Sequence, residues 1–215
     1  MGKLGTIFFE NRYAFIGFAF FFLIVAFGLI CCSKAESFFF INTYHNQLLD
    51  RFFTYYTNVG DGLFSIGIFL ILLWKRKPLP GWEIVIAFLL SGLVAQLVKH
   101  FFQMPRPKTF FVDGSYPHFI EGVTLSGYAS FPSGHTATAF ATALLLSIFT
   151  KNKKYSLLFV LAAWLVAFSR IYLGQHFLQD VFVGALIGVV CSLTVYLLFD
   201  AHPSWGEKLK FGKMA

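Results

Sequence analysis

The stretch YAFIGFAFFFLIVAFGLICCS, residues 13–33, decides what kind of fold this chain can adopt. It contains no charged residue, and it is long enough to cross the apolar core of a bilayer, which takes about 20 helical residues. A signal peptide would have a shorter apolar run followed by a small-residue cleavage site, and no such site follows cleanly. We therefore interpret this stretch as a first transmembrane helix.

The composition of the whole chain supports a membrane protein. The 215 residues are 57% hydrophobic and 20% aromatic, and only 13% are charged. A soluble domain carries about 25% charged residues, and the 30 phenylalanines exceed what its core could bury. We expect an integral membrane protein, folded as a single domain over residues 1–215.

Six apolar segments have the length of membrane spans. The predicted fold is therefore all-α, with six transmembrane helices. The second segment is the least regular, because Asn58 and Asp61 lie near its start, and Asp61 is expected to cap or begin its helix. The six segments are Tyr13–Cys32, Tyr55–Trp74, Trp82–Phe102, Ser133–Phe149, Tyr155–Tyr172 and Phe177–Phe199.

The net charge of +7 does not predict nucleic-acid binding, because the basic residues lie in short clusters between apolar segments. With the N-terminus inside, most of the 17 Lys and Arg residues fall on the inner side. This positive-inside pattern predicts that both termini are cytoplasmic. The inner clusters are Lys75–Lys77, then Lys151, Lys153 and Lys154, then Lys208, Lys210 and Lys213.

Two segments are then predicted on the outer side. Residues 33–54 carry an apolar face at helical spacing, which is typical of a helix lying in the membrane interface. That face comprises Leu48, Leu49, Phe52, Phe53 and Tyr56. The loop from Gln103 to Phe131 is rich in Gly, Pro, Ser and Tyr and could cap a site, whereas its Asp113 and Glu121 are expected to be solvated.

The stretch KHFFQMPRP, residues 99–107, places two cations at the outer end of the third segment. Pro105 and Pro107 end the helix and hold Arg106 between them. An ammonium from Lys99 and a guanidinium near one point suit a phosphate group. The alternative is that both side chains only reach the membrane surface.

The stretch FPSGHTATA, residues 131–139, begins the fourth segment. Ser133 is a favoured N-cap, and the free N–H groups of a first helical turn bind anions. Gly134 allows a phosphate to approach the backbone, and His135 could donate a proton to it. The alternative is an ordinary capped helix with an interfacial histidine.

The stretch SRIYLGQHFLQD, residues 169–180, places charged groups between the last two segments. His176 and Asp180 are four residues apart and share a helical face. A carboxylate beside an imidazole fixes its tautomer and leaves the other nitrogen free to attack. Arg170 lies nearby, and Gly174 offers a bend. The alternative is a buried pair that only joins two helices.

Taken together, the predicted topology brings these ionisable residues to one outer face. Three cations, a helix N-terminus and two histidines fit phosphoryl transfer through a phosphohistidine. The sequence contains no acidic cluster for Mg²⁺ or Ca²⁺ and no His/Cys set spaced for zinc, so we predict neither metal nor cofactor.

In these three motifs the chain resembles the type 2 phosphatidic acid phosphatase superfamily, in its membrane-bound bacterial branch. The three-part signature of that family, K-x6-RP, PSGH and SR-x5-H-x3-D, matches residues 99–107, 132–135 and 169–180 at every fixed position. The matching region therefore covers about residues 99 to 180.

The resemblance implies a role for each matched residue. His176 would attack phosphorus, Asp180 would orient His176, and His135 would protonate the leaving oxygen and later activate water. The phosphoryl oxygens would be held by Lys99, Arg106, Ser133, Gly134 and Arg170.

The resemblance also implies a substrate class. Similar members hydrolyse undecaprenyl pyrophosphate, phosphatidylglycerophosphate or phosphatidic acid, and these are the first expectation. The alternatives are a lipid A phosphatase, or a phosphotransferase that moves phosphate from undecaprenyl pyrophosphate to another lipid. A lipid-binding or channel-like protein without activity is the non-enzymatic alternative. We expect a multi-pass protein of the cytoplasmic membrane with its site facing outward, a membrane lipid as partner, and neither nucleic acid nor an obligate protein partner.

Overall fold

The computed structural model describes residues 2–111, 118–202 and 204–205. Within these residues the chain forms ten α-helices, two short 3-10 helices (Thr57–Gly60 and Lys153–Tyr155) and no strand. Asp113, Lys208, Lys210 and Lys213 lie outside the described residues. The helices are α1 (Lys3–Glu10), α2 (Arg12–Cys31), α3 (Lys34–Asn42), α4 (Gln47–Tyr56), α5 (Gly62–Trp74), α6 (Pro78–Phe102), α7 (Pro107–Phe110), α8 (Gly134–Phe149), α9 (Ser156–Tyr172) and α10 (Leu178–Ala201).

The long helices turn apolar side chains outward, as a lipid environment requires. Ile30 in α2 is 84% exposed, and Trp74 at the end of α5 is 82% exposed. Helices satisfy their own backbone hydrogen bonds, which lipid cannot do. Four helical stretches of the described chain are long and apolar enough to span a membrane: Arg12–Cys31, Pro78–Phe110, Lys153–Tyr172 and Leu178–Ala201.

The second predicted span, Tyr55–Trp74, is not one continuous helix. The structure breaks it at the 3-10 helix Thr57–Gly60, and the helical pieces Gln47–Gly60 and Gly62–Trp74 meet at 59°. Asp61 caps α5, its Oδ1 accepting a hydrogen bond from the backbone N–H of Leu63 at 2.8 Å. The prediction that Asp61 caps a helix is confirmed. Because a capping residue has non-helical backbone angles, the chain is interrupted at Asp61 and α5 begins as a new helix.

Helix α8 is the centre of the bundle. It packs against α6, α9 and α10, and Phe140, Leu144 and Leu145 are fully buried. With only 16 residues, it is shorter than the four spanning stretches. Because the surrounding helices cover α8, whatever lies at its N-terminus is enclosed on several sides.

The two predicted outer segments pack over the same end of the bundle. Helix α4 is formed where the apolar face was predicted, although only Phe53 of that face is fully buried. Residues 118–124 contact the rest of the bundle through two side chains. His118 Nε2 lies 3.1 Å from Asp50 Oδ2, and Thr124 Oγ1 donates to the carbonyl of Leu173 at 2.9 Å. Helix α4 and residues 118–124 therefore cover this end of the bundle.

Candidate active site

The three motif segments meet at one end of the helix bundle. Lys99 lies in the last turn of α6 and is within electrostatic range of Arg106, Arg170 and Asp180. The backbone N–H of Ser133, which precedes α8, donates to the carbonyl of Asp180 at 2.9 Å. Residues far apart in the sequence thus line one site.

His176 and Asp180 form a buried pair at the start of α10. His176 Nδ1 lies 3.5 Å from Asp180 Oδ2, and the two side chains are 2% and 0% exposed. Gly174 makes the turn that precedes them, with a φ of +63° that other residues rarely adopt. With Nδ1 facing the carboxylate, Nε2 is the nitrogen of His176 available to attack.

Two hydrogen-bond donors hold the carboxylate of Asp180 in place. Its Oδ2 accepts a hydrogen bond from Ser130 Oγ at 2.5 Å and another from the backbone N–H of Phe177 at 2.8 Å. A carboxylate that accepts several hydrogen bonds is kept ionised and fixed in position. Asp180 therefore presents a carboxylate held by two hydrogen bonds to His176.

Burial makes His176 neutral at physiological pH. Desolvation lowers the pKa of His176 to about 4, although the proximity of Asp180 opposes this shift. Imidazole attacks only in its neutral form, because the protonated ring has no free lone pair. The environment of His176 therefore suits a nucleophile.

Gln175 joins two of the predicted phosphate-binding arginines. Its Oε1 accepts hydrogen bonds from Arg106 Nη1 at 3.1 Å and from Arg170 Nη2 at 3.0 Å. Its amide nitrogen donates to the carbonyl of Val123, which orients the side chain. One amide oxygen therefore fixes the distance between two guanidinium groups that would otherwise repel each other.

Arg170 is also bound from the opposite side. Its Nη1 donates to Thr57 Oγ1 at 2.7 Å, and the residue is only 5% exposed. Its Nε is buried and has no hydrogen-bond partner among the described residues. An unpaired buried donor of this kind is costly unless a bound group accepts from it, and a phosphoryl oxygen is a suitable acceptor.

The N-terminus of α8 has the features expected for anion binding. Ser133 Oγ accepts hydrogen bonds from Thr136, at 2.9 Å from its hydroxyl and 3.4 Å from its backbone N–H. This cap leaves the hydroxyl hydrogen of Ser133 available to donate. A Cβ at Gly134 would meet nothing within 4 Å, so the backbone there is open to a bound group.

His135 is the more accessible histidine of the site. Its side chain is 33% exposed, and its Nε2 lies 3.8 Å from Asp61 Oδ2. Lys99, Arg106, Arg170 and His176 all act on it electrostatically. His135 is thus positioned beside the basic residues of the site.

Sequence reasoning missed four polar contacts at this site: Gln175, Thr57, Ser130 and the approach of Asp61 to His135. Gln175 could have been noticed, because it is a polar residue in a tight turn next to His176. Thr57 and Ser130 carry no motif, and they reach the site only through the tertiary fold.

Comparison with known proteins identifies the family. The family model described as PAP2 superfamily matches residues 80–203, which include all three motifs. The chain belongs to the PAP2 superfamily. A lipid A 4'-phosphatase from Porphyromonas gingivalis is 34% identical over 186 residues, which cover 76% of this chain and 77% of that protein. These matches confirm the predicted family and, at the level of the family, the prediction of a lipid phosphatase.

Two solved structures share the architecture. The crystal structure of Aquifex aeolicus LpxE aligns with a TM-score of 0.64 at 34% identity, covering 76% of this chain and 94% of that one. The transmembrane PAP2-type phosphatidylglycerolphosphate phosphatase from Bacillus subtilis aligns with a TM-score of 0.62 at 22% identity, covering 90% and 98%. The second supports the fold alone. The predicted all-helical fold is confirmed within the described residues, four stretches of which are long and apolar enough to span a membrane.

Proposed function

We propose that this PAP2 protein removes a phosphate or pyrophosphate group from a membrane lipid through a phosphohistidine at His176. The observation that carries the proposal is the buried His176–Asp180 pair beside three cations and the N-terminus of α8. The buried carboxylate fixes one ring nitrogen, and the cations meet the charge of a transferring phosphoryl group.

In the first step the lone pair of His176 Nε2 attacks phosphorus. The bond from phosphorus to the lipid oxygen breaks, and His135 donates a proton to that oxygen. In the second step His135, now neutral, takes a proton from water, whose oxygen attacks phosphorus and breaks the phosphorus–nitrogen bond. Phosphate leaves, and both histidines return to their starting forms.

The phosphoryl oxygens would be bound by Lys99, Arg106 and Arg170, together with Ser133 and the backbone at Gly134. Arg106 and Arg170 are bridged by Gln175, so their guanidinium groups are positioned before a substrate arrives. Such preorganised charge is worth most in a site that excludes water. These residues supply the positive charge that a metal ion would otherwise provide, and the proposed mechanism uses neither metal nor cofactor.

The proposed topology has six spans with both termini in the cytoplasm, as one unit over residues 1–215. The four spanning stretches are joined by the bent pair around Asp61 and by α8, which is enclosed by its neighbours. In this topology the basic clusters Lys75–Lys77 and Lys151–Lys154 lie on the cytoplasmic side. The positive-inside rule favours that orientation. The site then faces the outside or periplasm of a cytoplasmic membrane.

An apolar cavity below His135 supports a substrate with a lipid tail. It has a volume of about 140 Å³ and is lined from α8 by Ala139 and Ala143 and from α9 by Ala162 and Ala163. Ala139 is four residues after His135, and Ala163 is seven residues before Arg170. Residues at these spacings share a helical face, so the cavity and the site lie along the same faces of α8 and α9. We infer that the chain of a lipid whose phosphate lies at His135 occupies this cavity.

Narrowing this cavity is expected to weaken binding of long-chain substrates. Ala162→Leu would displace roughly two methylene groups of the chain, each worth about 0.8 kcal/mol, so KM for a long-chain lipid phosphate should rise about tenfold. KM for p-nitrophenyl phosphate, which has no tail, should stay unchanged. The matched control is Leu161→Phe, at a neighbouring position of α9 that is 56% exposed. An equal rise in KM for both substrates would refute the assignment of the cavity.

The substrate we propose first is a phosphorylated saccharolipid of the lipid A type. The supporting observation is the lipid A 4'-phosphatase of P. gingivalis, which matches about three quarters of both chains at 34% identity. Undecaprenyl pyrophosphate, phosphatidylglycerophosphate and phosphatidic acid are the alternative substrates, and they would use the same residues.

The test is phosphate release by purified protein in detergent with EDTA present. The four lipids are offered separately, with His176→Ala as the control. We expect release from lipid A to be the fastest, to persist in EDTA and to be lost in the variant. Inhibition by EDTA would contradict the metal-free mechanism. Release only when a second lipid is added as acceptor would indicate a phosphotransferase instead.

A further inference from the structure

The break in the second apolar segment lies against the candidate active site. The 3-10 helix Thr57–Gly60 packs on α8 and α9, and it is followed directly by Asp61 and α5. Thr57, at one end of this break, binds the guanidinium of Arg170. Asp61, at the other end, approaches His135. In an uninterrupted helix, Thr57 and Asp61 would lie on one face, because they are four residues apart. The break lets Thr57 contact Arg170 of α9 while Asp61 approaches His135 of α8.

Gly60 shows how closely this break is packed against α8. A Cβ at Gly60 would lie 2.7 Å from the backbone carbonyl oxygen of His135 and 2.6 Å from a methyl carbon of Val166. Contacts that short do not occur, so any larger residue would push the break away from α8. The position of Asp61 relative to His135 is therefore set by backbone packing rather than by flexible side chains.

Asp61 can cap its helix and face His135 at the same time. Its Oδ1 accepts from the backbone N–H of Leu63 at 2.8 Å, whereas its Oδ2 is the atom 3.8 Å from His135 Nε2. The Asp61 side chain is 40% exposed, so it can adjust when a substrate binds. Catalytic hydrogen bonds are often long in an unliganded site and shorten in the complex.

The charges around His135 explain why a carboxylate is needed there. Lys99 from α6, Arg106 from the following turn and Arg170 from α9 all act on His135, as does His176. Positive charges repel a protonated imidazole, and a carboxylate beside the ring attracts it. Asp180 is already engaged by Ser130, the backbone of Phe177 and His176. Among the described residues, the carboxylate that lies within ion-pair distance of His135 belongs to Asp61.

We propose that Asp61 is the positioning residue of His135, resting on the function proposed above. Asp61 orients the ring through Nε2 and stabilises its protonated form, which leaves Nδ1 to give a proton to the lipid oxygen. This pair would complement the pair of His176 and Asp180, so that each histidine of the site has its own carboxylate. Asp61 lies outside all three motifs.

The variant Asp61→Asn separates this role from helix capping. Asn is as good an N-cap as Asp, so α5 should keep its cap while the charge beside His135 is lost. We expect kcat with a lipid phosphate to fall about 10- to 100-fold, a part of the 10²- to 10⁴-fold that general acid catalysis contributes. The burst of p-nitrophenolate from p-nitrophenyl phosphate should change less than about threefold, because that leaving group needs no proton.

The comparison between the two leaving groups decides the proposal. A similar loss with both substrates would mean that Asp61 only supports the fold, and no loss with either would mean that it has no role; both results overturn the proposal. Asp61→Ala, which removes cap and charge together, should lower the melting temperature more than Asp61→Asn. If the wild-type protein released neither phosphate nor p-nitrophenolate, the proposed function itself would fail, and the role of Asp61 with it.

Discussion

Replacing His176 with alanine should reduce phosphate release by at least about 10⁴-fold, because removing a nucleophile leaves only the contribution of binding and charge stabilisation. The same variant should lose the labelled phosphoenzyme that forms when the wild-type protein is mixed with a radiolabelled lipid phosphate and quenched in alkali. A phosphorus–nitrogen bond survives alkali and breaks in acid, so the trapped species identifies histidine as the attacking group.

Two controls make this result specific. His100→Ala changes an exposed histidine at the end of α6 and should leave activity unchanged. His176→Gly opens space at a residue that is only 2% exposed, and added imidazole should restore part of the activity. Normal phosphoenzyme formation in His176→Ala would contradict the assignment of the nucleophile, and restored labelling at another residue would point to a different one.

Replacing Asp180 with asparagine should lower kcat by about 10²- to 10⁴-fold while leaving a measurable remnant. Asparagine can still accept from Ser130 and from the backbone of Phe177, but it cannot stabilise the positive charge that develops on His176. KM should change little, because Asp180 lies behind His176 rather than among the phosphate-binding groups. Steady-state kinetics on a lipid phosphate would measure both constants.

The pH dependence gives an independent measure of the same pair. Desolvation lowers the pKa of His176 to about 4 while Asp180 opposes the shift, so on the acid side the wild-type kcat/KM should fall as the pH approaches about 4. Protonation removes the lone pair, so activity is lost on the acid side. In Asp180→Asn the pH at which activity is lost should be lower still, because the carboxylate that raises the pKa of His176 is gone. An unchanged pH dependence together with full activity would mean that the pair is only structural.

The membrane architecture was predictable because it depends on local composition. Apolar runs of about 20 residues determine where helices cross a bilayer, and each predicted segment contains helix in the structure. The exception is the segment Tyr55–Trp74, where composition alone favoured one helix. There Gly60 must contact the backbone of His135, and Asp61 caps a new helix, so a packing requirement overrides the apolar pattern.

The candidate site residues were predictable for a related reason. The three motifs place charged residues at the ends of apolar segments, where charge is costly unless it has a partner or a function. The roles of Lys99, His135 and His176 remain predictions, because geometry alone does not measure a reaction. The structure nevertheless places them at one end of the bundle.

The amino-acid pattern was enough to predict apolar spanning segments and the residue types offered to a phosphate. How those residues are held depends on the packing of the helices. Ser130 reaches Asp180 across 50 positions, and Thr57 reaches Arg170 across 113. Gln175 bridges two arginines, and Asp61 approaches His135 because the second apolar segment is broken. Local periodicity carries no information about such contacts, because they arise only when packed helices bring distant polar groups to the same buried point.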